Sequence, residues 1–179
     1  MAEYLKKTLF LIPVIVFSLI SITFYLALNR NNLNELPSAL LNTVAPKLAT
    51  TPLGSKEAPT RADLIAPGMK FVNFWASWCS PCRAEHPLIK KISLLGYPII
   101  GINYKDSSKN ALSFLDELGD PYSKVGADEA GRTGIEWGLY GIPETFILNS
   151  DGLILLRHAG PITSTVFEEK FLPVISNNN

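Results

Sequence analysis

Residues 70–92 have the sequence KFVNFWASWCSPCRAEHPLIKKI, in which an apolar run is followed by a mixed apolar and charged run. The apolar run over 70–76 predicts a buried strand, and the apolar spacing over 80–95 predicts a helix. Cys79 and Cys82, which are the only cysteines of the chain, therefore lie where the strand passes into the helix. Two intervening residues allow the thiols to close a disulfide, or one thiol to attack a bond that the other has made.

Further strand and helix patterns follow the cysteine pair towards the C-terminus. An Asp-Gly pair at 151–152 separates two apolar runs, which is a strong signal of a β-hairpin. The order βαβα and then ββα predicts an α/β fold whose helices flank a mixed β-sheet, parallel in its first half and antiparallel in its second. The predicted strands cover 98–104, 144–149 and 153–158, and the predicted helices run from Ser107 or Ser108 to about Leu118, near 128–137, and over 163–175.

Length and charge narrow the possible classes of function. The chain has 179 residues and a formal net charge of zero, so no basic surface for nucleic acid is indicated. A domain of about 120 residues buries a sufficient core without disulfide cross-links, so the two cysteines are free for chemistry. We expect no nucleic-acid partner and no bound cofactor.

Residues 8–28 carry no charge and are long enough to cross a bilayer, which takes about 20 residues. Lys6 and Lys7 precede them and favour a cytoplasmic N-terminus under the positive-inside rule. The alternative is a cleaved signal peptide, but its best cleavage site, after Ala27, has the bulky Tyr25 two residues earlier. We therefore expect a retained single-pass transmembrane anchor and a domain outside the cytoplasm, where disulfides persist. The expected divisions are a cytoplasmic N-terminus at 1–7, the anchor at 8–28, a linker joining the domain at 29–60, the domain at 61–176 and a tail at 177–179.

The attacking species in disulfide exchange is the thiolate, and an ordinary cysteine is mostly protonated at neutral pH. Cys79 falls at the helix N-terminus, where unpaired N–H groups and the helix dipole stabilise a thiolate. Cys82 falls one turn further on and is expected to be more shielded from solvent. We expect Cys79 to attack a partner disulfide and Cys82 to resolve the mixed disulfide; the same steps run backwards oxidise a dithiol.

Pro143 stands directly before an apolar run, in the segment GIPETF at 141–146. A proline at the start of a strand removes no ladder hydrogen bond, so a strand can begin at this position. The Ile142–Pro143 peptide bond is either trans, as most such bonds are, or cis.

Several segments around the cysteines match known families. WASWCSPC at 75–82, Pro87 and Pro143 together resemble the thioredoxin superfamily. This resemblance covers roughly residues 33–170 and implies a thioredoxin-like fold with a redox-active disulfide. Four segments are similar to the CcmG/DsbE branch, the membrane-tethered thiol:disulfide interchange proteins of cytochrome c biogenesis: LPSAL at 36–40, RAEHP at 83–87, GLYGIPETF at 138–146 and RHAGP at 157–161.

The resemblance implies a direction of exchange and a set of partners. Members of that branch are periplasmic reductants, which keep the haem-binding cysteines of apocytochrome c reduced or act on a partner thiol protein of the same pathway. Their electrons come from a membrane thiol transporter of the DsbD or CcdA type. For this chain the resemblance implies a location at the bacterial inner membrane, with the C-terminal domain in the periplasm.

The resemblance also points to carboxyl groups near the cysteines. Thioredoxin has a buried Asp six residues before its first cysteine, whereas this chain has Asn73, which cannot take a proton. Glu85, three residues after Cys82, and Glu144, beside Pro143, are then the candidate acids. A carboxylate near Cys82 could accept the proton of that thiol.

The remaining residues around the site have simpler expected roles. Ser80 and Pro81 fill the loop between the cysteines, and Trp78 is expected on the surface that meets a partner. Trp75 is expected to face the core. Asp128 and Glu129 are expected to form a solvated face and a helix cap.

Other readings of the cysteine pair remain as alternatives. A zinc site needs four ligands, and only His86 and His158 are available to join the two cysteines. His86 is instead expected at the surface or in helix packing. Covalent haem attachment would need His after the second cysteine, where this chain has Arg83. Two functional alternatives are a general periplasmic disulfide reductase or oxidant, and a membrane-tethered binding module whose disulfide is passive.

Overall fold

The computed structural model describes the backbone of residues 2–28 and 40–178, and the side chains of residues 12–27 and 40–178. The chain divides into two compact units, Met1–Pro37 and Ser38–Asn179. The first unit contains helix α1, Ala2–Leu28, whose described side chains are exposed. Within the described residues, no helix is both long and apolar enough to cross a membrane. The transmembrane anchor at 8–28 therefore stays a prediction, and residues 29–39 of the predicted linker lie outside the described residues.

The second unit is built on one six-stranded sheet with the strand order β1-β4-β3-β2-β5-β6. The strands are β1 Thr51–Pro52, β2 Lys70–Trp75, β3 Ile99–Tyr104, β4 Lys124–Asp128, β5 Glu144–Leu148 and β6 Ile154–Ala159. Strands β2, β3 and β4 are parallel, whereas β1, β5 and β6 each run antiparallel to their neighbours. The predicted mixed sheet is thereby confirmed, including its parallel first half and antiparallel second half.

Helices occupy the connections of this sheet. They are α2 Arg61–Leu64, α3 Ser80–Leu94, α4 Ser108–Leu118, α5 Arg132–Glu136, α6 Ser164–Val166 and α7 Leu172–Asn177. The predicted capping of α4 is confirmed, because the Ser107 side chain accepts a hydrogen bond from the Asn110 N–H. The single closing helix predicted over 163–175 is divided by a π-helical turn at Phe167–Phe171 and runs on to Asn177.

The central strand β2 explains where the core lies. All six of its residues are buried, and successive side chains point to opposite faces of the sheet. Val72 and Phe74 pack on one face in a cluster that includes Trp137. Phe71 and Trp75 alternate with them. Phe71 belongs to a cluster with residues of α3 and the C-terminal helices. Trp75 belongs to a cluster that includes residues of α4. The strand ends at Trp75, so the chain reaches the cysteine pair at the carboxyl edge of the sheet.

Strands β1 and β4 were not predicted, because residues 51–52 fall in the predicted linker and no element was predicted between Leu118 and residue 128. Strand β4 contains Lys124, Gly126 and Asp128 within five residues, so it lacks a continuous apolar run. Gly126 has a packing reason: a Cβ there would lie 2.6 Å from the Thr50 side chain, next to β1. Only glycine lets the two strands approach so closely.

The N-terminal side of the domain includes the end of the segment predicted to be linker and domain entry. Residues 40–60 belong to the second compact unit. Ala45 and Leu53 are buried there, and Thr51 and Pro52 pair with β4. The prediction of a solvated Asp128 is wrong: its buried carboxylate accepts hydrogen bonds from the backbone N–H groups of Thr133 and Gly134 at the start of α5. Asp128 thus serves as the cap, while Glu129 is exposed.

Candidate active site

The two cysteines form a disulfide at the N-terminus of α3, with their Cα atoms 5.2 Å apart. Cys79 is the N-cap residue, and its Sγ accepts a hydrogen bond from the Cys82 backbone N–H at 3.1 Å. Both residues are nearly buried, with 4% of Cys79 and 2% of Cys82 exposed. In this disulfide form the two cysteines differ little in their exposure to solvent, although Cys82 was predicted to be more shielded. Cys79 differs from Cys82 by its position at the helix N-terminus.

Exposed residues surround the buried disulfide. Ser80 and Pro81, in the first turn of α3, are both exposed. Trp78 is 60% exposed, although its Nε1–H donates a hydrogen bond to the Lys105 carbonyl oxygen at 3.0 Å. A large aromatic ring is thus held at the surface directly before Cys79, as a partner-binding role requires. Trp75 is 1% exposed, which confirms that it faces the core.

Asp106 fixes the loop that leads to the cysteines, and the sequence analysis did not find it. Its buried carboxylate accepts hydrogen bonds from the backbone N–H and the hydroxyl of Ser77, at 2.7 and 2.9 Å. It also accepts from the Asn103 side-chain amide and the Ser107 backbone N–H. Strands β2 and β3 are parallel neighbours, so the residues after both strands meet at one edge of the sheet. That adjacency is the signal that could have identified Asp106.

Glu85 is buried one helical turn beyond Cys82, on the same helix α3. Its Oε1 accepts a hydrogen bond from the Asn73 side-chain amide at 2.9 Å, and its Oε2 accepts one from the Ile162 backbone N–H at 2.8 Å. Burial raises the pKa of Glu85 from 4.5 to about 7, while these two hydrogen bonds act in the opposite direction. The site therefore contains a carboxyl group that changes protonation state near neutral pH.

Asn73 lies at the centre of a buried polar network. Besides Glu85, its side-chain N–H group donates to the Thr145 hydroxyl at 3.0 Å. Its Oδ1 accepts a hydrogen bond from the Tyr122 hydroxyl at 2.8 Å. Thr145 pairs directly with Asn73 across β2 and β5, so the strand register predicts their contact once the pairing is known. Tyr122 lies in a segment for which no strand or helix was predicted, and no local pattern indicated its contact with Asn73.

The segment that contains Pro143 also lies beside the cysteines. The Ile142–Pro143 peptide bond is cis, which settles the choice that the sequence left open. Ile142 packs against the cluster of buried residues that includes both cysteines. Pro143 therefore lies directly before strand β5, in a segment that packs against the cluster containing both cysteines.

Glu144 is buried on the other face of the sheet from Asn73. It pairs with Phe74 in the β2–β5 register, whereas Thr145 pairs with Asn73, and adjacent strand positions point to opposite faces. The Glu144 carboxylate forms an ion pair with Arg157 and accepts a hydrogen bond from the Tyr140 backbone N–H at 3.0 Å. Burial raises the pKa of Glu144, and Arg157 opposes that rise. The structure brings Glu85 and Asn73 together but places Glu144 apart from them.

Neither histidine forms a metal site with the cysteines. His86 is buried and lies 2.8 Å from the Gly119 carbonyl oxygen through its Nε2, so its role is helix packing. Burial lowers the pKa of His86. The His158 ring packs against the Phe171 ring, with the two ring centroids 5.8 Å apart. Among the described residues, no group of three or more His, Cys, Asp or Glu side chains could hold a metal ion.

The chemistry that these residues permit is reversible disulfide exchange. A helix N-terminus favours the Cys79 thiolate, Cys82 is within disulfide distance, and Glu85 can take up a proton near neutral pH. Together with the mixed sheet, this arrangement places the protein in the class of thioredoxin-like thiol:disulfide oxidoreductases.

Comparisons with known proteins narrow this class. A family profile described as Redoxin matches residues 42–171. The chain is 41% identical to the thiol:disulfide interchange protein HelX of Rhodobacter capsulatus over 96% of this chain and 98% of that protein. It is 37% identical to the thiol:disulfide interchange protein DsbE of Escherichia coli K12 over 95% of each chain. The chain therefore belongs to the Redoxin family and, within it, to the DsbE-type thiol:disulfide interchange proteins, which confirms the resemblance and the oxidoreductase activity predicted from the sequence.

Solved structures agree with the fold. A crystal structure of a Chlorobium tepidum protein described as thiol:disulfide interchange protein DsbE superimposes with a TM-score of 0.62 at 26% identity, over 74% of this chain and 95% of that one. The fold similarity extends to StoA of Bacillus subtilis, with a TM-score of 0.51 at 22% identity over 58% of this chain and 82% of that one. The predicted thioredoxin-like fold is thus confirmed for the second compact unit.

Proposed function

We propose that this protein is a membrane-anchored periplasmic reductant that acts in cytochrome c maturation. The observation that carries the proposal is the buried Glu85 beside a disulfide at a helix N-terminus, in a chain whose relatives are thiol:disulfide interchange proteins. Its substrate is the disulfide between the haem-binding cysteines of apocytochrome c, or a disulfide of a partner thiol protein in the same pathway.

The reaction begins from the reduced protein. The Cys79 thiolate attacks one sulfur of the partner disulfide, a new bond forms between Cys79 and that sulfur, and the other partner sulfur leaves as a thiolate that takes a proton. The Cys82 thiol then loses its proton and attacks Cys79. This second step forms the Cys79–Cys82 disulfide and releases the partner as a dithiol, so two electrons pass from this protein to the partner.

Glu85 serves as the acceptor of the Cys82 proton. A general base works best when its pKa lies near the working pH, and the pKa of Glu85 is raised to about 7. Cys82 and Glu85 are three residues apart on α3, so their side chains lie on the same face of the helix. Asn73 has an amide at the position where thioredoxin has its acid, so it supports Glu85 but cannot replace it.

The anchoring and the electron supply form the second part of the proposal. The uncharged segment 8–28, with Lys6 and Lys7 before it, anchors the chain in the inner membrane and leaves the redox domain in the periplasm. A membrane thiol transporter of the DsbD or CcdA type reduces the Cys79–Cys82 disulfide after each turnover. Alkaline extraction of membranes tests the anchor, since a retained transmembrane segment keeps the full-length protein in the membrane fraction.

Partner trapping tests the substrate. Replacement of Cys82 by Ser removes the resolving thiol, so we expect a mixed disulfide between Cys79 and an apocytochrome or a thiol protein of the same pathway. The matched Cys79→Ser variant retains one cysteine of the same pair and should trap far less. If Cys82→Ser captures no such partner while deletion of the gene abolishes haem-stained c-type cytochromes, the result contradicts the reductant proposal and favours a binding module with a passive disulfide.

The direction of exchange needs its own measurement. A reductant has a low reduction potential, and each difference of about 30 mV corresponds to about 1.4 kcal/mol for a two-electron couple. We expect a potential well below that of a dithiol oxidase, and we expect an added small thiol to restore cytochrome c formation in the deletion strain. A potential in the range of dithiol oxidases would refute the direction proposed here.

A further inference from the structure

Tyr122 is held in one position by its aromatic neighbours. Its ring stacks on Trp75, with centroids 5.5 Å apart and planes 16° apart, and meets the edge of His86 at 6.4 Å. Gly101 on strand β3 makes room for it, because a Cβ at that position would lie 2.8 Å from the Tyr122 ring. The Tyr122 hydroxyl is therefore placed by packing, independently of its hydrogen bond.

That hydroxyl meets the oxygen of the Asn73 amide. An asparagine side chain has an acceptor oxygen on one side and an N–H₂ donor on the other. Because Tyr122 donates to Oδ1 at 2.8 Å, the Nδ2 group is directed at Glu85 and Thr145, at 2.9 and 3.0 Å. The reverse orientation would put the amide oxygen against the Glu85 carboxylate. Without Tyr122, the buried Oδ1 would lose the partner seen here, and the orientation would lose its support.

We propose that Tyr122 is a positioning residue for the redox site, acting through Asn73 to keep an N–H donor on the Glu85 carboxylate. The role rests on the proposed function, in which Glu85 must be ionised before it accepts the Cys82 proton. When the proton passes from the Cys82 Sγ to a Glu85 oxygen, the charge moves to the sulfur that then attacks Cys79. Tyr122 takes part in no bond making or breaking.

The groups around Glu85 show why the Asn73 amide and its orientation by Tyr122 affect the carboxylate. From α3, the Cys82 sulfur, held in the disulfide, lies one turn away, and Lys91 and Glu85 both line a cavity of about 420 Å³. The Asn73 amide on strand β2 and the backbone N–H of Ile162 are the neutral donors to Glu85, whereas Thr145 on β5 accepts from Asn73. Burial and the negative charge of Glu85 raise the pKa of Tyr122 well above its ordinary value, so its hydroxyl remains a donor through the neutral range.

The test is Tyr122→Phe, which keeps the packed ring and removes only the hydroxyl. Tyr104→Phe is the matched control, because Tyr104 makes ring contacts with Lys105 and lies outside the Asn73 network. The readout is the pKa of the Glu85 carboxyl in the oxidised full-length protein, measured by ¹³C NMR. We expect Tyr122→Phe to raise this pKa by roughly half a unit or more, from the size of one hydrogen bond, and Tyr104→Phe to leave it unchanged.

The pH profile of disulfide exchange separates the two proposals. If the Glu85 pKa rises in Tyr122→Phe and the profile moves with it, both the positioning role and the role of Glu85 are supported. If the pKa rises and the profile does not move, Tyr122 still positions Asn73, but Glu85 is not the proton acceptor. An unchanged Glu85 pKa overturns the positioning role, whatever Glu85 does in catalysis.

A measurement on the parent protein covers the case in which Tyr122→Phe does not fold. With Tyr122 in place, the ¹⁵N-detected signals of the Asn73 side-chain amide should shift with pH along the Glu85 titration curve, because that amide donates to Glu85. If those signals do not move while Glu85 titrates, the amide is not held on the carboxylate and the proposal fails.

Discussion

Replacing Glu85 by Gln should make the oxidised protein gain stability relative to the parent as the pH rises through neutral. The side chain is 2% exposed, and among the described contacts it has hydrogen-bond donors but no cation paired with it. Its negative charge is therefore held at a cost, and this cost is what raises its pKa to about 7. Glutamine has nearly the same shape and no charge, so the variant removes the cost of the charge. Its N–H₂ group cannot accept from one of the two donors, but that loss is the same at every pH.

The magnitude follows from the difference between the folded and unfolded pKa values. The pKa of Glu85 rises from 4.5 to about 7, and each unit is worth about 1.4 kcal/mol, so the carboxylate lowers the free energy of unfolding by about 3 kcal/mol above pH 7. Between these two pKa values the folded state binds more protons than the unfolded state. Stability due to Glu85 is thus fully present below pH 4.5 and is lost as the pH rises through about 7.

Urea unfolding of the oxidised protein and of Glu85→Gln, from about pH 4 to about pH 8.5, measures the effect. The useful quantity is the difference between the two free energies of unfolding, because other titrating groups are common to both proteins. His86 is one of them: burial lowers its pKa, so its protonation destabilises the folded state as the pH falls below its ordinary 6.5. We expect the difference to grow by about 3 kcal/mol in favour of Gln between acid and alkaline pH.

The matched control makes the same chemical change at an exposed position. Glu136→Gln, on helix α5, should change the free energy of unfolding only slightly, because the side chain is exposed. If the difference between Glu85→Gln and the parent does not vary with pH, the Glu85 carboxyl group does not have a raised pKa. The assignment of Glu85 as the proton acceptor would then lose its electrostatic basis.

Two further substitutions test how the site is held. Arg157→Leu should lower the free energy of unfolding by about 3–5 kcal/mol, because the buried Glu144 carboxylate would lose its cation. Urea unfolding at pH 7 measures this loss, and adding Glu144→Gln should restore part of it. A loss that the second substitution does not reduce would mean that packing, and not charge, dominates. Asp106→Ala should cost about 2–3 kcal/mol and speed proteolysis near Ser77, since several donors lose their acceptor. The exposed Asp116→Ala should do neither, and equal proteolysis of both variants would contradict the role of Asp106.

The parts of the fold that the sequence predicted are those with strong local patterns. Strand β2 is an apolar run, helix α3 has helical spacing, and the β5–β6 hairpin has an Asp-Gly turn between apolar strands. Strand β4 was missed because pairing to β3 and β1, and not its own composition, keeps it in the sheet. Gly126 weakens the apolar pattern because it has no side chain, and the same lack of a side chain allows the close approach of β1.

The site shows the same division at the level of single residues. The resemblance to thioredoxin pointed to Asn73 and, because Asn73 cannot take a proton, to Glu85 as a candidate acid. The hydroxyl of Tyr122 and the backbone N–H of Ile162 reach this pair from 49 and 77 residues away along the chain, to Asn73 and Glu85 respectively. Contacts of that separation depend on the assembled sheet, so no local pattern contains them.

The two candidate acids, Glu85 and Glu144, differ in their hydrogen-bonding and ionic partners and not in the direction in which burial shifts their pKa values. Burial raises the pKa of both Glu85 and Glu144. Glu144, however, forms an ion pair with Arg157, so its negative charge is compensated. Protonation of Glu144 would leave the buried Arg157 cation without its counter-charge. Glu85 is met by neutral donors among its described contacts, so gaining a proton relieves its burial cost instead of breaking an ion pair. A group that gains and loses a proton in every catalytic cycle must tolerate both states, and this favours Glu85 over Glu144 as the proton acceptor of the proposed mechanism.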